Sequence, residues 1–163
     1  LGVHPGYETM ASAEWMARAM TRMQALRETS GLEFRVAGSR QHGLRWQTPK
    51  TARMLESFGV AYDSTLGYAD RIGFRAGTCL PYPFYDCVDR RTLDLEERPL
   101  ILMDSSLTER AYEGKGYGQA ALDHATEVKR GCQRVCGDFN ILWHNIMLTS
   151  SRLRRLYTAI LDN

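Results

Sequence analysis

Four apolar residues in a row, Leu100-Ile101-Leu102-Met103, closed by Asp104, constrain this chain more than any other stretch. The run is short for a buried helix and shows no polar alternation, so it predicts a strand covered on both faces. A strand of that kind needs helices on either side of its sheet. The stretch FNILWHN, Phe139 to Asn145, repeats the pattern and leaves the core at a histidine and an asparagine. With 163 residues, 44% hydrophobic and 25% charged, the chain is long enough for one domain with a core of its own.

Helical patterns lie between the strand-like runs. Met16, Ala19, Met20, Met23 and Leu26 recur every three or four residues and read as a core-filling stripe that ends at Ser30-Gly31. Leu32 to Ser39 alternates and predicts a strand. Thr48-Pro49 predicts a helix start, with Ala52, Leu55 and Phe58 facing inward and Gly59 as the stop. Val60 to Thr65 and Leu93 to Glu97 read as strands, and Leu80 to Tyr85 as a proline-aromatic loop. A helix is expected within the stretch from Glu109 to Arg130, away from Gly114, Gly116 and Gly118, and a last one carries Leu153, Leu156, Tyr157, Ile160 and Leu161. Strand and helix alternate throughout, which favours an α/β domain with parallel strands and outer helices.

The net charge of +2 is spread with interleaved signs, so nothing points to nucleic acid or an anionic membrane surface. No apolar run approaches the roughly 20 residues of a membrane span. Leu1-Gly2-Val3-His4 reads as the last residues of a strand, and the chain is expected to begin inside a domain. The spacings of Cys79, Cys87, Cys132 and Cys136 match neither a zinc knuckle nor a disulfide framework, so reduced structural cysteines are expected, with Cys132 and Cys136 on one helix face. Reduced cysteines lean toward the cytoplasm.

Polar residues gather where strands end: His4, Arg40 with His42, Asp63, Arg75, Asp104, and His144 with Asn145. In parallel α/β folds the carboxyl ends of the strands face one way, and sites are built there. A strand-end imidazole such as His144 is held still; it either serves a cleft or bonds a nearby carbonyl. Asp104 beside it would fix its tautomer and favour its protonated form; otherwise Asp104 caps the next turn. Arg75, between the glycines of GFRAG, either clamps a carboxylate through paired hydrogen bonds or lies on the surface. His4 and Glu8 could share a metal ion. Arg40, His42 and the aromatic residues from Tyr82 to Tyr85 suit a polar ligand such as a sugar, or else the aromatics cover a core.

GVHPGY, YDSTLGYADRIGFRAGTC and ILWHN, in that order, resemble the NodB-type polysaccharide deacetylases, the metal-dependent carbohydrate esterases. The resemblance covers essentially the whole chain as the later part of one such domain, lacking the opening strand or strands. It implies a partial, distorted (β/α) barrel over residues 1–163 and metal-assisted removal of acetyl groups from a saccharide. By motif, His144 matches the general acid, Asp104 the aspartate that tunes it, and Arg75 the arginine that orients the base. His4 matches the first metal-binding histidine. The resemblance also implies a divalent metal, usually zinc, a saccharide substrate, and substrate contacts from Arg40, His42, Tyr68, Asp70, Trp143 and Asn145.

Two departures stand out. The family's paired aspartates belong to an opening strand that would precede Leu1. Its second metal histidine falls on Glu8: either Glu8 ligates, or His42 comes in from the next strand, or the metal is weakly bound or absent. The rivals are a non-catalytic glycan-binding module of the same fold and a metal-dependent amidohydrolase acting on a small non-sugar amide.

Overall fold

The computed structural model describes residues 1–162 and is mixed α/β, with mostly parallel strands and five α-helices among them. Two compact units are present: Leu1–Leu66 with Pro81–Arg98, and Gly67–Leu80 with the chain from Pro99 onward. Among the described residues no helix is long and apolar enough to cross a membrane.

The first unit holds β1 (Gly2–Val3), α1 (Ala13–Ser30), β2 (Gly38–Ser39), α2 (Lys50–Ser57), β3 (Tyr62–Asp63), β4 (Tyr82–Asp86) and β5 (Arg91–Glu97). Its sheet runs β1-β2-β3-β5-β4. The first four strands are parallel; β4 joins β5 antiparallel with a register shift between Pro83 and Tyr85. The expected proline-aromatic loop is therefore a strand. Proline cannot donate to a ladder, and β4 lies at the sheet edge, where a missing N–H is tolerated. Its inward phase is legible in hindsight: Phe84 and Asp86 are buried while Pro83 and Tyr85 are exposed.

The strand expected over Leu32 to Ser39 shrinks to its last two residues. Its pairing begins only where Leu1 meets it, through Leu1 N to Arg35 O and Ala37 N to Leu1 O. Met16 is fully buried, and Ala19, Met20 and Met23 are partly so against Val3, Leu55 and Leu95. Leu26 instead stands 52% exposed, because α1 runs on past the core it covers. Ser12 caps α1 by accepting from Trp15 N, and Gly31, at φ 65°, ends it. At α2 the expected hydroxyl cap is absent: the Thr48 Oγ1 accepts from Trp46 Nε1, while Thr51 Oγ1 accepts from Gln47 N.

The second unit holds β6 (Leu100–Met103), α3 (Asp104–Thr108), α4 (Gln119–Arg134), β7 (Asn140–Leu142) and α5 (Ser151–Asp162). β6 and β7 pair in parallel with Met103 opposite Leu142. Leu102, Leu107, Ala121, Ala125, Leu156 and Ile160 form its core, each with at most 4% exposure. Helix α4 starts after the glycines, two of which, Gly114 and Gly116, have left-handed φ of 63° and 66°. Cys132 lies in α4, but Cys136 falls beyond its end at φ 53°, so the two do not share a helix face.

Candidate functional site

In the second unit the pairing of β6 with β7 sets Asp104 beside His144. The Asp104 carboxylate accepts the His144 backbone N–H at Oδ2 (2.6 Å) and bonds the ring Nδ1 at Oδ1 (2.7 Å). Ser105 N also donates to Oδ1 (2.6 Å), and Thr108 Oγ1 donates to the Asp104 carbonyl (2.8 Å). Asp104 is fully buried, whereas the His144 side chain is 47% exposed. Both readings open for Asp104 are present in the geometry: its carboxylate takes the first free amide of α3, at Ser105, and holds the His144 imidazole as well. An ionised carboxylate only accepts, so Nδ1 carries the proton and Nε2 is the ring nitrogen left for an incoming group.

The other candidates of this unit are arranged less directly. Arg75 is exposed, and its Nη1 donates to Gly67 O (3.0 Å), a carbonyl of its own loop. Gly67 is required there, since a Cβ would meet the Leu100 Cβ at 2.7 Å. Arg71 occupies both Tyr68 and Asp70, lying 5.3 Å over the ring and bonding the carboxylate at 2.8 Å. Trp143 is half-buried against Tyr157, with ring centres 5.1 Å apart, and belongs to the core side of β7. Its Nε1 is buried with no hydrogen-bond partner. Asn145 is exposed and its Oδ1 accepts from Ile146 N, opening the turn after the strand.

In the first unit the register Val3–Ser39–Asp63 makes His4, Arg40 and Ser64 neighbours just past the strand ends. His4 Nδ1 bonds Arg40 O (2.7 Å); a carbonyl only accepts, so this nitrogen is the donor. The His42 ring lies 5.3 Å from that of His4, and Tyr7 meets His42 edge-on at 6.1 Å. Arg45 covers the Tyr7 ring at 4.0 Å and donates to Tyr7 O. His4 and Glu8 line a groove of about 770 Å³ along α1 that also takes in Trp15, Arg18 and Met23. Among the described residues no group of three His, Cys, Asp or Glu converges as a metal site.

Arg40 is turned inward: Nε and Nη2 donate to the Ser64 carbonyl and hydroxyl at 2.8 and 2.7 Å. Burial pushes its pKa down, against the pull of Asp63 and Glu97. Asp63 is fully buried, accepting from the Ser39 hydroxyl and from Thr65 N (2.8 Å). Burial raises its carboxyl to about 6 from 3.8, despite those hydrogen bonds and nearby Arg40. Gln41, which with Arg40 and His42 reads in the sequence as a polar ligand contact, is buried here, and so is Glu97, which no motif marks. Gln41 N donates to Thr65 Oγ1 (2.9 Å), and Leu66 N donates to Glu97 (3.2 Å). For Glu97 a signal existed: it follows Leu93 and Leu95 in the inward phase of β5.

Comparison with known proteins found no family model and no curated protein that matches this chain.

Proposed function

We propose that this chain carries the proton-transfer centre of a hydrolase that removes acetyl groups from a saccharide, in a partial, distorted (β/α) barrel of the NodB-type deacetylase kind. The observation that supports the reading is the Asp104–His144 pair: a buried carboxylate holding a half-exposed imidazole by one ring nitrogen and by its backbone. His144, protonated at Nε2, gives that proton to the departing amine or alkoxide as the acyl bond breaks. Asp104 keeps the ring oriented through Nδ1. Arg75 supplies positive charge toward a carboxylate, with Gly67 O fixing one edge of its guanidinium.

Divalent-metal binding belongs to the same proposal. His4 and His42, with ring centres 5.3 Å apart, are the neighbouring imidazoles that would hold such an ion. The Nδ1 bond of His4 to a backbone carbonyl is the kind of outer contact that orients a metal-binding histidine. His4 and His42, ahead of Glu8, are thus the residues that would hold the ion. When bound, a divalent ion polarises an acyl carbonyl and acidifies water.

The test is acetate release from an N-acetylated oligosaccharide by the full-length protein. His144→Ala is expected to lower turnover about 100-fold or more with the circular dichroism unchanged. Unchanged turnover removes the assignment. Saccharide affinity that survives chelation, with no acetate released, favours the non-catalytic module instead.

A further inference from the structure

Cys79 closes the loop that carries Arg75, and Cys132 lies in the last turns of α4; both are buried, at 2% and 0% exposure. They share one small core cluster with Ile101. Their backbones are tied to the same turn. Gly137 N donates to Cys132 O (2.9 Å), and Asp138 N donates to Cys79 O (3.0 Å). Position 137 has to lack a side chain, because a Cβ there would fall 2.3 Å from the Cys79 Sγ. By contrast, Cys87 and Cys136 are exposed.

We propose that Cys79 and Cys132 are a disulfide-forming pair that, in an oxidising environment, staples the Arg75 loop to α4. Two thiols in one buried cluster, on backbones tied to consecutive residues, are placed to meet the geometry a disulfide requires. In the step both S–H bonds break and one S–S bond forms. Two protons and two electrons pass to a disulfide oxidant such as oxidised glutathione, which becomes two thiols. Burial pushes the Cys132 thiol up to about 12, so the folded protein offers almost no thiolate there. The bond therefore forms while the chain folds and the sulfurs are accessible, and once formed it is shielded from reductant. The loop it anchors, residues 67–80, has no helix or strand and is otherwise held at points such as Gly73 N to Ile101 O (2.8 Å). Arg75 lies four residues before Cys79, so the staple limits the motion of its guanidinium. The cross-link itself does not depend on the deacetylase reading; only the consequence for Arg75 rests on it.

The experiment unfolds the protein in reductant, refolds it in a mixture of oxidised and reduced glutathione, and alkylates what remains free. Peptide mapping without reduction is expected to show one linked pair, 79 with 132, and alkylated Cys87 and Cys136. The oxidised protein should melt roughly 5 °C or more above the reduced one, the difference vanishing after the link is reduced by dithiothreitol in denaturant and the thiols are alkylated. Cys87→Ser with Cys136→Ser should keep both the link and the shift, whether or not Cys79→Ser folds. Alkylation of both Cys79 and Cys132 after oxidative refolding, or their pairing with Cys87 or Cys136, overturns the proposal. The mass readout is independent of acetate release, so a failure here and a failure of the proposed activity are told apart.

Discussion

Asp63 in the first unit and Asp104 in the second both close a parallel strand, and both are fully buried. Their partners differ. Asp63 accepts from Ser39 and from the Thr65 amide, two groups that hold the chain in place around it. Asp104 also binds the chain, at the amides of Ser105 and His144, but its third partner is an imidazole that reaches solvent. A buried carboxylate becomes useful in chemistry when one of its partners can carry a proton outward. Asp63 has its protonation shifted by burial yet no such outlet among these bonds, so a perturbed carboxyl alone is a poor guide to a site.

The sharpest way to break this contrast is Asp104→Asn. The amide would donate to His144 Nδ1 and force the proton to the other nitrogen, so turnover should fall about 100-fold, measured as acetate release. A loss under threefold would place Asp104 with the structural carboxylates.

Asp63→Asn should act on stability. The folded pKa of about 6 lies above the ordinary 3.8, so the native state binds the proton more tightly than the unfolded chain. That contribution is full below the unfolded value and is lost as pH rises through about 6, a change of about 3 kcal/mol. The asparagine can accept from Thr65 N and donate to the Ser39 hydroxyl, so it keeps the contacts without the titration. Urea unfolding at pH 4 and pH 7 should show the difference in stability between the two pH values shift by about that amount in the variant. An unchanged difference contradicts the assignment.

Two smaller effects sharpen the picture. Gly67→Ala should cost about 1–3 kcal/mol by overpacking against Leu100, and it should disturb the carbonyl that Arg75 uses. Ser39→Ala should cost about 1 kcal/mol and push the Asp63 carboxyl higher still, readable as a later titration of stability.

Much of the second unit was legible because its signals are local. Leu100–Met103 and the strand before His144 are short apolar runs with polar ends, and their pairing brings Asp104 and His144 together as the strand-end pattern suggested. The first unit was harder. A proline hid an edge strand, and two residues of ladder were all that formed of an eight-residue alternation. Glu97 and Asp86 follow apolar residues in phase, and only that phase marks them as buried. Asp86 is held far below the usual carboxylate range by Arg53 and by the amides of Val88 and Asp89, partners that no local pattern announces. The meeting of His4 with His42 depends on strand register, which a sequence does not write out.

Nitrogen NMR of the His144 ring reports on the central arrangement without needing a substrate. Signals from the neutral ring should belong to a single tautomer, protonated at Nδ1, and Asp104→Asn should convert it to the Nε2-protonated form. A wild-type ring that averages between tautomers, or carries its proton at Nε2, would contradict the account.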